Sequence, residues 1–203
     1  MDDGMGLRER KKLETRQALS MAALRLAVER GLDNVLVEDI AAAAGVSPRT
    51  FNNYFSSKAE AIASRHVDRG RRLADQVRRR PMTESVWESI LEAALAQFGN
   101  GDPVPDPDWA AGVRLMTSEP ALIGEFLKAS SMIELELAEA IAERTRTNVK
   151  ADIYPRLVAA SVGAAIEVAT DRWLTADPPV PLGSLVREAL TQVAAGLPEP
   201  STT

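Results

Sequence analysis

Residues 45–62 read GVSPRTFNNYFSSKAEAI, and the polar side chains in this stretch have a chemistry of their own. Arg49, Asn52 and Asn53 fall at i, i+3 and i+4, so a helix presents all three on one face. A guanidinium reads the guanine edge through two parallel hydrogen bonds, and a carboxamide does the same for adenine. Phe51 and Phe55 are four apart and anchor the same short helix on its own domain. Ser47-Pro48 supplies an N-cap and a proline at the first helical position. The N-terminus of such a helix attracts phosphate, and Lys58 adds a cation beside the next helix start. Arg8, Arg10, Lys11 and Lys12 add a basic arm suited to following a phosphate backbone. The chemistry indicated is recognition of a DNA major groove.

Other chemistries lack their residues. With no cysteine, neither a disulfide framework nor a thiolate zinc site is possible, and one histidine is too few for a His-rich metal site. No phosphate-cradling glycine loop and no nucleophile–base pair is visible, so the expectation is no enzyme and no cofactor. Glu134, Glu136, Glu139 and Glu143 resemble paired acids, but an ordinary solvated helix face explains them. The cluster Arg71, Arg72, Arg78, Arg79 and Arg80 reads as a solvated face away from the groove.

These groups have to be positioned by helices. Leu19, Ala22, Ala23 and Leu26 fall on one face of a helix over 8–30, which Gly31 ends. A short helix over 37–44 turns Val37, Ile40, Ala41 and Ala44 inward. Gly45 permits the sharp turn that follows, and Val46 fills the angle before the next helix. Together they spell a helix-turn-helix. Ser57-Lys58-Ala59-Glu60 reads as a capping box opening a long helix to about Arg79, with Ala59, Ile62, Ala63, His66, Gly70, Leu73, Ala74 and Val77 on its inner face. Further helices are expected at about 83–98, 107–117, 120–146, 150–175 and 182–196, with a Pro/Asp loop at 101–108. The fold class is therefore all-α with about nine helices: a three-helix DNA-binding domain over 1–57 and a helical ligand-binding and dimerisation domain over 58–203.

Charge supports two jobs in one chain. The net charge of −5 argues against a polyanion partner, but residues 1–80 carry 16 Lys/Arg against 11 Asp/Glu, whereas 81–203 carry 8 against 18. An apolar fraction of 45% supports a packed core. No run of 18 apolar residues and no signal-peptide apolar segment is present, so the expectation is a cytoplasmic protein with no membrane partner.

The stretch 15–62 resembles the DNA-binding domain of the TetR family of transcriptional regulators. Thr15-Arg16, Ala22-Ala23, Gly31, Val37, Ile40-Ala41, Ala44-Gly45-Val46-Ser47, Tyr54-Phe55, Ser57-Lys58 and Ile62 carry the resemblance. It implies that Asn52, Asn53 and Tyr54 occupy recognition-helix contact positions and Lys58 a phosphate contact. Ser47 and Thr50 occupy positions of further backbone or base contacts. Two residues depart from the family pattern. Leu36 stands where a capping threonine is common, so that helix start lacks about 1 kcal/mol of capping. Asn52 stands where tyrosine is frequent, so the operator sequence does not transfer from relatives.

The resemblance further implies a homodimer that reads a palindromic double-stranded operator, and a small-molecule effector in the C-terminal half. Leu182, Leu185, Val186, Ala189, Leu190 and Val193 form one stripe, and residues 159–169 are rich in alanine and glycine; both suit either a dimer interface or packing within the chain. The stretch from Ser118 to Pro179 resembles the C-terminal domain of the actinobacterial subgroup of the mycofactocin regulator, which implies an acyl-CoA-like or other hydrophobic effector. Candidate ligand-binding residues are His66, Trp87, Trp109, Met116, Phe126 and Trp173; the plainer reading of each is core packing. The expected function is that of a ligand-responsive repressor. Its competitors are a ligand-independent dimeric regulator and a small-molecule-binding helical protein with a weakened DNA module.

Overall fold

The structure is a computed structural model that describes residues 6–98 and 107–199; of Pro107, Asp108 and Trp109 only the backbone is described. The expected loop at 101–108 and the side chain of Trp109 lie outside the described residues. Nine α-helices stand among them: α1 Leu7–Arg30, α2 Val37–Ala43, α3 Pro48–Tyr54, α4 Lys58–Arg79, α5 Val86–Phe98, α6 Pro107–Ser118, α7 Pro120–Thr145, α8 Ile153–Thr175 and α9 Leu182–Ala194. A short 3-10 turn, Leu32–Asn34, joins α1 to α2. The all-α expectation holds.

The chain divides into two compact units. One holds the described residues of Met1–Val67 and Pro107–Ala129, the other those of Asp68–Asp106 and Ser130–Thr203. In the first, Leu19, Ala23, Leu26, Ile40, Ala41, Phe51, Phe55 and Ile62 form a dry core, joined by Leu122 from α7. Leu115 and Met116 of α6 pack against that core. α6 runs close to α1, because Gly112 leaves room for Leu24: a Cβ there would meet Leu24 Cδ2 at 3.1 Å.

In the second unit α8 packs on α9 and α9 on α5. The α9 stripe of Leu182, Val186 and Leu190 is buried within the chain. The opposite face of α8 is open, with Ile153, Leu157 and Val168 exposed. α8 is long and apolar enough to cross a membrane by length and composition, although Arg156, Glu167, Asp171 and Arg172 interrupt it.

α4 and α7 share this unit over Asp68–Arg79 and Ser130–Thr145. Arg71 pairs with Glu136 at 3.3 Å and Arg78 with Glu143 at 3.2 Å, each pair 65 residues apart, so the two helices run parallel. Arg71 and Arg78, read from sequence as a solvated face, are ion-paired helix–helix contacts. Arg144 donates to the carbonyls of Val77, Arg80, Pro81 and Glu84 at 2.8–3.2 Å, and so closes the C-terminal end of α4, where carbonyls lack helical partners.

Candidate nucleic-acid interface

The helix-turn-helix forms as the residue types require. Gly31 takes φ +78° and its N–H donates to Ala27 O at 2.9 Å. Gly45 takes φ +69°, a conformation that a Cβ disfavours, and lets Val46 N donate back to Ala41 O at 2.9 Å. The turn therefore folds onto α2, and Val46 packs against the core.

Ser47 caps α3 by accepting from Thr50 N at 3.1 Å, and the Ser47 and Thr50 hydroxyls lie 2.9 Å apart. Phe51 is fully buried and Phe55 nearly so, with their rings 5.7 Å apart. That anchoring fixes the rotation of α3 and leaves Arg49, Asn52 and Asn53 exposed, as a reading face must be. Thr50 and Tyr54 are half-buried at its edges.

The start of α2 corrects one expectation in part. Leu36 has no acceptor, so the forward cap is missing. Asp39, three residues on, nevertheless accepts from Leu36 N at 3.1 Å, so half of a capping box survives and part of the expected deficit is recovered. The start of α4 is also rearranged. Glu60 N donates to Ser57 Oγ at 3.0 Å, but the Glu60 carboxylate accepts from Ser56 N and Ser56 Oγ at 2.7 and 2.6 Å instead of from Ser57. Burial pushes the Glu60 pKa up. The two Ser56 bonds, with the charges of Lys128 and Arg16, outweigh it and hold Glu60 below its ordinary value.

Lys58 does more than sequence reasoning assigned to it. Its half-buried ammonium donates to Leu32 O at 2.5 Å and Val35 O at 3.0 Å. It ties α4 to the 3-10 turn before α2 and keeps one N–H for another acceptor. Carbonyls 23 and 26 residues away give no signal in the sequence.

The candidate effector residues divide between the units. In the first, His66 stacks on Phe126 with ring centroids 4.8 Å apart, and Met116 packs on the headpiece core. In the second, Trp173 is buried on α8 and Trp87 is half-buried on α5. Among the described residues no group of three or more His, Asp or Glu could hold a metal ion.

Known proteins share this architecture. The family profile described as bacterial regulatory proteins, tetR family, matches residues 21–63, and that of the MftR C-terminal domain matches 84–198. The HTH-type transcriptional regulator TcmR of Streptomyces glaucescens is 33% identical over 84% of this chain and 78% of its own. MftR of Mycobacterium tuberculosis, named for regulation of mycofactocin biosynthesis, is 28% identical over 93% of each chain. The structure of FadR from Thermus thermophilus, a transcriptional repressor in complex with lauroyl-CoA, superposes with a TM-score of 0.55 at 18% identity, covering 92% of this chain and 97% of that one.

Proposed function

Because the chain belongs to the TetR family of transcriptional regulators, we propose that it is a ligand-responsive repressor that binds a palindromic operator as a homodimer. The observation that carries this reading is the geometry of α3: Phe51 is buried, while Arg49, Asn52 and Asn53 stand exposed on one helical face. Arg49, Asn52 and Asn53 read bases. Ser47, Thr50, Tyr54 and the remaining N–H of Lys58 hold phosphates and set register. The DNA-binding work falls to residues 1–57, and effector binding and dimerisation to 58–203. The protein acts in the cytoplasm, where its operator is.

The second copy docks on the open face of α8. Leu157 and Val168 are exposed there, and Ala160, Gly163 and Ala164 between them allow close helix approach. A two-fold dimer then presents two recognition helices about 34–36 Å apart, one turn of B-DNA.

The effector is a hydrophobic or acyl-CoA-like molecule. The matched MftR C-terminal profile and the lauroyl-CoA complex of a protein of the same fold support that class. Candidate contacts are His66, Trp87, Trp109, Met116, Phe126 and Trp173. Trp87, Trp109 and Trp173 are the only tryptophans, so intrinsic fluorescence reports on effector binding. The ligand weakens operator affinity only by as much as it prefers the non-binding arrangement of the dimer.

The test is binding to a fluorescent duplex carrying the gene's own upstream region, over a salt series, with and without lauroyl-CoA. Salt-steep, sequence-preferring binding that lauroyl-CoA abolishes is expected. Binding indifferent to lauroyl-CoA and to other acyl-CoAs leaves a ligand-independent regulator. Absence of binding to this duplex and to a random-sequence pool removes the DNA reading.

A further inference from the structure

Met21 of α1 is 53% exposed, although its neighbours Ser20 and Ala22 are buried. Its sulfur accepts a hydrogen bond from Nη1 of Arg65, a half-buried guanidinium on α4. The contact forms the rim of a seam between the two helices. Beneath it the seam is polar and dry. Ser20 Oγ donates to Ala61 O at 2.7 Å, and Ser64 Oγ lies 3.1 Å from Ser20 Oγ and 2.7 Å from Ala61 O. Ser20 pairs with Ser64 and Met21 with Arg65 at one offset of 44 residues, so both contacts belong to a single register of α1 on α4. All of these residues lie in one compact unit. α4 begins at Lys58, whose ammonium holds the Leu32 and Val35 carbonyls ahead of α2, so the seam also supports the helix-turn-helix.

A thioether is a weak acceptor for a full guanidinium charge, whereas a sulfoxide oxygen is a strong one. Exposure leaves the Met21 sulfur open to a peroxide from solvent. A sulfur lone pair attacks one peroxide oxygen, so an S–O bond forms as the O–O bond breaks. Sulfur is oxidised by two electrons and the peroxide is reduced by two. The displaced oxygen departs as hydroxide, takes the proton from the new S–OH group and leaves as water. A guanidinium stays charged at any ordinary pH, so Arg65 gives up no proton; its N–H groups stabilise the negative charge on the departing oxygen. Met82 and Met132 are comparably exposed, at 62% and 49%, and among the described residues neither sulfur bonds a cation.

We infer that Met21 is a peroxide-modified site, activated by Arg65, whose sulfoxide locks α1 to α4. The new S=O oxygen accepts from the guanidinium that the thioether held only weakly, at the rim of the seam that Ser20 and Ser64 close beneath. The modified chain is the more rigid one. The change is reversible, since methionine sulfoxide is returned to methionine by sulfoxide reductases. The inference concerns contacts within the headpiece and stands apart from the effector reading.

The experiment treats the full chain with dilute hydrogen peroxide and follows each methionine by peptide mass spectrometry over time. A charge-assisted hydrogen bond to the departing oxygen should make Met21 react about tenfold faster than Met82 and Met132. Arg65→Gln keeps a polar side chain without the charge and should bring Met21 down to the rate of the other two. The lock is read separately, as the melting temperature of protein oxidised once at Met21. One strengthened charge-assisted bond in a chain of this size should raise it by about 2–4 °C. Met21→Leu, a swap of similar volume, should show no such rise after the same treatment. Incubation with a methionine sulfoxide reductase should return the oxidised wild type to its starting value. Equal rates at Met21, Met82 and Met132 overturn the site. A Met21 preference that survives in Arg65→Gln overturns the role of the guanidinium. A melting temperature that falls or stays fixed on oxidation of Met21 overturns the lock, as does an equal rise in Met21→Leu.

Discussion

At the scale of single residues, the headpiece is tuned by caps, and one is incomplete. Leu36 sits in extended backbone, φ −95° and ψ 155°, which suits an N-cap, yet it offers no acceptor. It is 61% exposed, so its side chain contributes little burial. Leu36→Ser should therefore stabilise the protein by about 1 kcal/mol, read as a raised urea midpoint with an unchanged m-value. A loss of stability would mean that Leu36 makes an apolar contact outweighing the missing cap. Glu60 shows how a local rule points to the right residue and the wrong partner. The S-x-x-E pattern is visible in sequence, but whether the carboxylate turns to Ser57 or Ser56 depends on the path by which the chain enters α4. Its lowered pKa has a definite sign. The ionised form is favoured by folding, so its contribution is present above the ordinary value of 4.5 and is lost as pH falls below it. Glu84, held low by its hydrogen bonds from Arg80, and Glu88, held low by the Ser85 backbone N–H, act in the same direction. Acid titration of stability should show a fall beginning near pH 4.5, shallower in Glu60→Gln.

At the scale of elements, helix positions were legible because apolar residues recur at helical spacing, and Gly31, Gly45, Pro48 and Pro81 punctuate them. What was not legible is which helix meets which. Gly70 was readable as an inner-face residue, but only the structure shows its partner. A Cβ on Gly70 would lie 2.8 Å from Ile133 Cβ and nearer still to its Cγ1 and Cγ2, so something must shift if Gly70 gains a side chain. Gly70→Ala should destabilise by about 1–3 kcal/mol, the usual range for overpacking. Ile133→Ala removes the two nearest carbons, so the double variant should recover part of that loss; a coupling near zero in the double-mutant cycle would show that the helices separate freely. Arg144 illustrates the same limit. Its guanidinium joins four carbonyls around the end of α4 and the start of α5, contacts about 60 residues distant in sequence. Arg144→Ala should cost about 2 kcal/mol. Arg144→Lys should not restore it, since a single ammonium cannot reproduce the planar fork. Leu122 went unnoticed as a headpiece residue for a related reason: its apolar character was plain, but its burial in a core built mostly from residues 19–62 was not.

At the scale of the whole molecule, the apolar stripes of α8 and α9 are used differently. Leu182, Val186 and Leu190 of the α9 stripe are buried inside the chain, whereas Leu185, Ala189 and Val193 are half-buried. α8 is two-sided. Val158, Val162, Ala165 and Ala169 are buried within the chain, while Ile153, Leu157 and Val168 face outward, with exposures of 80%, 60% and 66%. This exposed face, with small residues between Leu157 and Val168, is the one the proposed dimer would use, since small residues suit another helix at close range. A copy of the same chain satisfies this with self-complementary contacts about a two-fold axis. Leu157→Arg places one charge near its own symmetry mate, and Val168→Asp extends the test further along the same face. Each should shift sedimentation from dimer to monomer while leaving the far-ultraviolet helical signal intact. Operator affinity should fall much further than affinity for a single half-site, because a monomer loses the second recognition helix but keeps the first. A variant that remains dimeric would place the interface elsewhere. One that becomes monomeric yet binds the full palindrome as tightly as wild type would detach dimerisation from DNA recognition.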